Sequence, residues 1–520
     1  ALQEYSNTQS TYLLVCAPAR STALKATLTD QLHRKFRLVD RLGGELTASV
    51  DGVLLAAEDV ELMSTALMYF AKALQDGADY AVCNAAFGFG GATALYQSQP
   101  LQAQNRCAVV SRTLLERCRA AAHDPENVPE LLALAAQLCT KPTLIPQALL
   151  HYERGICAED AFSAHGKRAF IMSHVLDMTG APIVLVSAVP VLRSMGYEVL
   201  VLGPSDGGSL HLFLDAGASV ITRSSCRNVS DAWGMALCAD FVIANTVVMA
   251  RAVRALSGTA VPVLWWLHDA FAGYPHIAHQ IPTQLGENVR VYSVGSHAAN
   301  AMRAVRPEFE IRPLIYGLPD YAAENFVRTD LGYNRGRPLF ATVGSFERRK
   351  GHDIFCKAIR LLPPEVREKA SFLFVGQAAD KEMMDSVRAL TADYPENVFY
   401  CKRLTRDEIK SLMEQCTGLV CASRDDPMPT FVTEGLIFGK PSIVSEHTGT
   451  AGLISEGRNG FVYHDDDPQQ LAVLLEHAIE HPEELASMRT ECRKMYEQYY
   501  SKEAFEQTLR AAVEDLTAKK

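Results

Sequence analysis

Short apolar runs alternate with helix-length segments from about residue 168 onward. Each run is nearly continuous in apolar residues, which is typical of strands buried on both faces of a parallel sheet. Parallel strands need helical crossovers, so this pattern predicts an α/β fold with doubly wound sheets. The predicted strands form two series, 168–174, 198–202, 219–223, 241–245, 261–268 and 289–295, then 338–344, 371–376, 397–402, 418–423, 441–445 and 460–463.

The two series predict two tandem Rossmann-like domains, residues 161–325 and 326–520, joined by a turn-rich hinge at 317–337. Ligands of such sheets bind outside the carboxyl ends of the strands, here in the expected cleft between the two domains. Residues 1–160 differ. They combine a strand-like start at 12–16, Ala/Leu-rich helical segments at 59–74 and 128–138 and a Gly-rich turn at 87–91, and they predict a separate, smaller α/β domain.

Composition excludes several classes of protein. The 520 residues carry a net charge of -10, with 48% hydrophobic and 21% charged residues, so neither wholesale disorder nor a nucleic-acid partner is expected. No apolar stretch approaches the length of a membrane span, and the N-terminus has no leader pattern. The 13 scattered cysteines indicate reduced thiols and a cytoplasmic location, which leaves peripheral contact with the inner face of the membrane open.

The segment 425–445, DDPMPTFVTEGLIFGKPSIVS, gives the sharpest local prediction. Pro429 suits the first helical turn, Gly439 suits the position after the last turn, and Pro441 blocks continuation. A helix at 429–438 would therefore begin at the carboxyl end of a buried strand. Free amides at such a helix start, here at Thr430 and Phe431, attract phosphate.

Two carboxylates flank that helix start, Asp426 in the preceding loop and Glu434 eight residues later. Both could be merely structural or solvated, but the strand, helix and stop signals around them favour function. Paired carboxylates would also suit glycoside hydrolysis. Against hydrolysis, the two lie on one loop–helix unit rather than on opposite sides of a cleft.

A basic segment, VGSFERRKGHD at 343–353, also follows a predicted strand. Arg348, Arg349 and Lys350 concentrate positive charge, and Gly351 permits close backbone approach. A solvated basic loop is the alternative interpretation. The position in the same domain as the 425–445 segment favours diphosphate binding.

Two further strand ends carry candidates. His268 and Asp269 end a strand at the active edge of the first series, although a single histidine is often only a packed side chain. Gly180 lies in the first strand–turn–helix, SHVLDMTGAP at 173–182. That turn lacks the G-x-G-x-x-G pattern, so NAD binding is disfavoured. No metal is expected, since the histidine pair at 276 and 279 shows no third ligand.

Together these motifs resemble glycosyltransferase family 4, retaining enzymes of the GT-B fold, over about residues 167–520. The resemblance implies that Glu434 binds the ribose hydroxyls of a nucleotide sugar and that Lys350 binds its diphosphate. It places His268 near the donor sugar and Gly180 near the diphosphate. The implied catalytic residues are His268, Asp426 and Glu434, and the implied donor-binding residues are Gly180, Ser345, Arg349, Lys350, Thr430, Phe431 and Glu434.

Two positions depart from the family pattern. Asp426 stands where the family usually has Glu, which shortens the side chain expected near the transferred sugar. Ser345 replaces the usual basic residue, and Arg349 is the expected substitute. The implied substrates are a nucleotide-diphosphate sugar and a glycan, lipid-linked saccharide or protein acceptor, with no resident cofactor and no metal required. A non-catalytic subunit that partners an active transferase is the alternative.

Residues 1–160 more faintly resemble a shortened family 2 glycosyltransferase of the GT-A type. Segments 12–17 and 145–154 would be its opening and closing strands. Where that family carries a metal-binding Asp-x-Asp, this chain has SVDGV with Asp51 alone. The resemblance therefore implies a degenerate, non-catalytic module that serves contacts, acceptor docking or dimerisation, with homo-oligomerisation through this module left open.

Overall fold

The computed structural model describes residues 11–518 apart from 17–21, 29–30, 32, 34, 40, 43–48, 57–59, 89–92, 98–106, 153–165, 206, 224–225 and 227–230. The chain divides into two compact units, residues 1–242 and 243–520. The predicted α/β class is confirmed, with parallel strands in both units. The domain limits expected near residues 160 and 325 stay a prediction.

The first unit contains a mixed sheet with strand order β9-β10-β11-β6-β5-β7-β3-β1-β2, and β8 pairs with β4 and β5. Three strands, β9 to β11, are parallel, as their apolar runs predict. Strand β6 pairs antiparallel with β11, so the N-terminal residues share this sheet. The strands are β1 Leu13–Cys16, β2 Phe36–Val39, β3 Gly52–Ala56, β4 Glu61–Leu62, β5 Tyr80–Gly88, β6 Thr93–Gln97, β7 Cys107–Ser111, β8 Pro142–Tyr152, β9 Lys167–Met172, β10 Tyr197–Gly203 and β11 Ser219–Arg223.

One predicted helix of this unit is wrong at its start. The Ala/Leu-rich segment 59–74 was expected to be helical throughout, but Glu61 and Leu62 pair with β8 and the helix begins at Ala66. The predicted Gly-rich turn at 87–91 is strand up to Gly88, and residues 89–91 lie outside the described part. The helices are α1 Thr22–Thr27, α2 Ala66–Gln75, α3 Arg112–Ala121, α4 Val128–Leu138, α5 Gly180–Ser194, α6 Leu210–Asp215 and α7 Asp231–Gly234.

Two sheets make up the second unit. The first has strand order β15-β14-β13-β12, with β13, β14 and β15 parallel. Every residue of β13 is buried, which matches its continuous apolar sequence. The strands are β12 Phe241–Asn245, β13 Val263–Leu267, β14 Val289–Ser293 and β15 Ile311–Pro313, with helices α8 Ala250–Leu256 and α9 Ser296–Arg303.

The second sheet has six parallel strands in the order β18-β17-β16-β19-β20-β21. From β16 the chain winds to one side, and after β18 it returns to β19 and winds to the other. The strand order therefore reverses between β16 and β19, and ligands of open α/β sheets bind at such a switch point. The strands are β16 Leu339–Val343, β17 Ser371–Val375, β18 Val398–Cys401, β19 Gly418–Cys421, β20 Ser442–Ser445 and β21 Gly460–Tyr463.

The helix predicted at 429–438 is confirmed as Thr430–Ile437, labelled α14 below. Gly439 has φ 70°, and the amides of Gly439 and Lys440 donate to Leu436 and Gly435, which is a Schellman end. The remaining helices are α10 His352–Leu361, α11 Pro364–Arg367, α12 Lys381–Asp393, α13 Arg406–Gln415, α15 Pro468–Glu480, α16 Pro482–Ser487, α17 Arg489–Met495 and α18 Lys502–Thr517. Among the described residues no helix is both long and apolar enough to cross a membrane.

Candidate active site

Two loops leave the switch point of the second sheet side by side. The β16 loop is residues 344–351 and the β19 loop is residues 422–429. The amide of Arg424 donates to the Arg349 carbonyl at 2.7 Å, so the loops are hydrogen-bonded to each other. Gly351 has φ 66°, and a Cβ there would lie 1.7 Å from the Ala422 carbonyl oxygen. Only glycine allows this close contact.

Lys350 and Asp426 form an ion pair across the two loops. Lys350 Nζ lies 2.5 Å from Asp426 Oδ2, and their side chains are 20% and 5% exposed. The other oxygen of Asp426 accepts the Met428 amide at 3.2 Å. The shorter carboxylate at position 426 therefore contacts a cation and a backbone amide, and the ion pair holds Lys350 beside the β19 loop.

A second ion pair lies within the β16 loop. Arg349 Nε is 2.8 Å from Glu347 Oε2, and the Ser345 hydroxyl donates to Glu347 Oε1. Burial opposes ionisation of Glu347, but the Ser345 hydrogen bond and the Arg349 charge outweigh it and lower its pKa. Ser345 thus acts on the loop through Glu347, and Arg349 also reaches the Asp425 carbonyl at 3.5 Å.

Helix α14 starts where the β19 loop ends and carries three predicted site residues. Thr430 Oγ1 lies 3.3 Å from the Tyr316 hydroxyl, Phe431 is buried, and Glu434 is 6% exposed. The first-turn amides of a helix have no acceptor within the helix, so this helix start can bind an anion.

Glu434 forms an ion pair with a single cation. Its Oε1 lies 2.6 Å from Arg406 NH1, and the Arg406 guanidinium stacks 4.4 Å from the Tyr321 ring. Burial raises the pKa of Glu434, and Arg406 opposes that rise. The result is a buried carboxylate able to accept hydrogen bonds from ligand hydroxyls.

Strand β13 presents His268 and Asp269 at its carboxyl end. The half-buried His268 ring packs 4.6 Å from the Trp266 ring. Asp269 Oδ2 accepts the Val247 amide at 2.6 Å. Burial raises the pKa of Asp269 to about 6, although backbone hydrogen bonds from Val247 and His268 oppose the rise.

Asp425 has the most contacts of any carboxylate in the site, yet the sequence analysis assigned it no role. It accepts the amides of Phe271 at 3.0 Å and Ala272 at 2.8 Å, and His297 Nε2 lies 2.7 Å from its Oδ1. Burial opposes ionisation, but the His297 and amide hydrogen bonds hold the pKa of Asp425 below its usual range. Its partners are more than 120 residues away, so no local pattern signals them.

Gly180 lies in the first unit and is the first residue of α5. The preceding Thr179 donates its hydroxyl and its amide to Asp177. A Cβ on Gly180 would meet no atom of the described residues within 4 Å. In the described part of the chain, no three His, Cys, Asp or Glu side chains are grouped to hold a metal.

Two family models match this chain. Residues 165–305 match Glycosyl-transferase family 4, and residues 324–495 match Glycosyl transferases group 1. The chain therefore carries two glycosyltransferase domains. The β16 and β19 loops of these glycosyltransferase domains lie in the second match, and His268 and Asp269 lie in the first. Neither match covers residues 1–160, so the GT-A-like module expected there stays a prediction.

This chain matches its curated relatives over only part of their length. Spore coat protein SA of Bacillus subtilis is 27% identical over 160 residues, 29% of this chain and 41% of that protein. An uncharacterized glycosyltransferase of Methanocaldococcus jannaschii is 25% identical over 194 residues, 37% of this chain and 53% of that protein. The chain thus spans about half the length of the curated relatives it matches.

Solved structures share the fold of the glycosyltransferase domains. Anabaena HepE in complex with UDP is 18% identical with a TM-score of 0.54, over 67% of this chain and 100% of that one. Sucrose-phosphate synthase from Thermosynechococcus elongatus is 14% identical with a TM-score of 0.54, over 68% and 100%. WaaG, a glycosyltransferase involved in lipopolysaccharide biosynthesis, is 17% identical with a TM-score of 0.51, over 67% and 99%.

Asp269→Asn tests the raised pKa of the buried carboxyl. Because the folded pKa lies above the unfolded value, the folded chain binds more protons between pH about 4 and 6, and wild-type stability falls as pH rises through that window. The amide variant does not titrate in this range and lacks this loss. Its unfolding free energy, relative to that of wild type, should therefore rise by up to about 3 kcal/mol between pH 4 and pH 7. Thermal melts across this range measure the difference.

Asp425→Asn is the control with the opposite sign. The folded pKa of Asp425 is lowered, so its stabilising contribution is present above pH about 4 and lost below it. The unfolding free energy of Asp425→Asn should therefore fall further below that of wild type as pH rises through about 4. A pH-independent difference for Asp269→Asn would contradict the assignment.

Proposed function

We propose that this chain transfers a glycosyl group, with retention of anomeric configuration, from a nucleoside-diphosphate sugar to a hydroxyl of a glycan, lipid-linked saccharide or protein. One observation carries the proposal: Lys350, the start of α14 and Glu434 converge at a single sheet switch point. The similar HepE structure is described in complex with UDP and with UDP-glucose, which makes UDP-hexoses the first donors to test.

Charge exchange explains how a diphosphate would enter. Asp426 neutralises Lys350, and Glu347 neutralises Arg349. A diphosphate brings more negative charge than either carboxylate, and the helix start at Thr430 and Phe431 adds amide donors for it. Lys350 and Arg349 would turn toward the ligand with little movement of the two loops. The family resemblance also expects Gly180 near the diphosphate.

Glu434 would bind the ribose. A ribose offers two neighbouring hydroxyl donors, and an ionised carboxylate offers two acceptor oxygens. Arg406 opposes the burial-driven rise in the Glu434 pKa and holds one of its oxygens at 2.6 Å, so ribose binding needs Arg406 to share that oxygen or to turn away on Tyr321.

The chemistry then needs charge stabilisation above all. The bond between the anomeric carbon and the β-phosphate oxygen breaks, and its electron pair stays on the diphosphate. Lys350, Arg349 and the α14 amides stabilise that charge, so the proposed reaction invokes no metal. The acceptor oxygen bonds to the anomeric carbon and gives up its proton to the departing diphosphate. His268 and Asp426 would flank the transferred sugar, and no enzymic nucleophile is assigned.

The cellular setting is part of the same proposal. We propose a cytoplasmic enzyme whose acceptor decides whether it works at the inner face of the membrane. No nucleic acid takes part, and residues 1–160 would mediate self-association. Turnover by the purified chain alone would exclude a purely non-catalytic subunit.

Lys350→Met should weaken binding of nucleoside diphosphates about 10- to 100-fold, because one charge-assisted hydrogen bond to phosphate is lost. The same change leaves Asp426 buried without its cation, which destabilises the fold. The double variant Lys350→Met with Asp426→Asn removes that unpaired charge and should restore stability without restoring affinity. Calorimetric titration and thermal melts separate the two effects.

Lys357→Met is the matched control. Lys357 lies on α10, its side chain is 65% exposed and it is 3.6 Å from Asp353. Its loss should leave nucleotide affinity unchanged. Equal affinity in wild type and the Lys350 variants would place the diphosphate elsewhere.

Glu434→Gln tests the ribose contact. Wild type should bind the preferred nucleoside diphosphate about tenfold more tightly than its 2′-deoxy form, because a hydrogen bond from a hydroxyl to a charged group is lost in the latter. The variant should bind both forms alike. Full discrimination by Glu434→Gln would show that the ribose lies on other residues.

A further inference from the structure

The Asp425 carboxylate joins two loops that belong to different sheets of the second unit. The β13 loop, residues 268–273, contributes the amides of Phe271 and Ala272, each 2.8 to 3.0 Å from a separate oxygen of Asp425. Asp425 itself belongs to the β19 loop. The contact therefore bridges the carboxyl edges of the two sheets through a single side chain.

Helix α9 adds a third donor to this carboxylate. His297 Nε2 lies 2.7 Å from Asp425 Oδ1, and both residues are buried, at 6% and 8% exposure. The Phe271 ring packs edge-on to the His297 ring at 5.0 Å. We call these four residues, Asp425, His297, Phe271 and Ala272, the clasp.

Among the residues that the structure describes, no arginine or lysine side chain pairs with the Asp425 carboxylate, although Arg424 precedes it. Arg424 turns away and forms two 2.8 Å hydrogen bonds with Asp353. The charge of Asp425 is instead balanced by the β13 loop and His297. A buried carboxylate that depends on these donors makes separation of the loops costly, because the opened state must hydrate or protonate it.

The clasp is close in sequence to both halves of the proposed site. Asp425 directly precedes Asp426, and Phe271 follows His268 by three residues. On the β19 loop, Asp426 follows Asp425 directly and pairs with Lys350. On the β13 loop, Asp269 fixes the base of the loop by accepting the Val247 amide. The β13 loop is thus held at its base by its own sheet and at its tip by Asp425.

We infer that Asp425 is a positioning residue that fixes the β13 loop, and with it His268, against the β19 loop so that the two halves of the active site are aligned before the sugar is transferred. This inference rests on the proposed transferase function. Asp425 would touch neither nucleotide nor sugar, and it would act through the loop that carries His268.

A merely structural role for Asp425 makes a different prediction. Loss of a structural hydrogen-bond network would lower stability and all ligand affinities together. A positioning role predicts a split in which nucleotide binding by Lys350 and Glu434 survives and turnover falls. Hydrogen exchange of the Phe271 and Ala272 amides with solvent measures how often the clasp opens, independently of activity.

The test uses the full chain with Asp425→Ala, Asp425→Asn and the control Asp467→Ala. Asp467 caps α15 by accepting the Gln469 amide at 2.8 Å, so the control removes a carboxylate–amide contact of the same kind outside the clasp. In Asp425→Ala we expect amide exchange at 271–272 to speed up at least about tenfold and kcat to fall about tenfold or more, with the Kd for the nucleoside diphosphate changed less than about threefold. Asp425→Asn keeps one acceptor oxygen and should lie between wild type and Asp425→Ala, whereas Asp467→Ala should match wild type in all three measurements.

Other outcomes would each contradict the inference in part or in whole. Unchanged exchange at 271–272 in Asp425→Ala would show that the clasp does not hold the loop. Faster exchange with unchanged kcat, or parallel losses of affinity, turnover and melting temperature, would remove the positioning role. Absence of turnover by wild type with every donor would overturn the proposed function and the positioning role with it, while the amide exchange would still decide the clasp.

Discussion

The site depends on the adjacency of β16 and β19 in the six-stranded sheet. These strands are neighbours in space, but two strands and four α-helices, α10 to α13, lie between them along the chain. Parallel pairing forces their carboxyl ends to the same edge, so the loops after them must share one surface. Lys350 comes from one loop and Asp426 from the other, and the following helix starts at the same edge. The chemistry proposed for the chain is a consequence of that strand order.

The charged side chains of the site form ion pairs with one another, and this pairing keeps the site assembled. Lys350 with Asp426, Arg349 with Glu347 and Arg406 with Glu434 each combine a potential ligand contact with a partner that holds it in place. Buried charges without such partners would be expensive. A ligand that replaces one partner of each pair inherits an aligned set of groups, which lowers the cost of ordering them on binding. Asp425 extends the same principle from single side chains to a whole loop.

Local signals made much of this architecture predictable. The continuous apolar runs gave each strand of the second sheet to within one or two residues, because burial on both faces leaves few polar positions. Helix α14 was predictable at both ends, since Pro429 and Gly439 flank the helix directly and their effects are local. The segment 59–74 failed for the converse reason. Its Ala/Leu content favours helix, but pairing of Glu61 and Leu62 with β8, about 90 residues away, takes its first part into a sheet.

Long-range pairing also hid the clasp. Asp425 stands in sequence between Arg424 and Asp426, and nothing local separates its role from theirs. Its partners follow β13 and begin α9, so only the folded chain reveals them. The same holds for the contact of Asp426 with Lys350, which no spacing rule could supply.

Crystals of the chain grown with UDP, GDP or ADP, or with their hexose conjugates, test the central claim most directly. The account predicts a diphosphate within hydrogen-bonding distance of Lys350 Nζ and the start of α14, with ribose hydroxyls on Glu434. A nucleotide bound elsewhere, or a crevice in which Lys350 still pairs with Asp426 at saturating nucleotide, would contradict it.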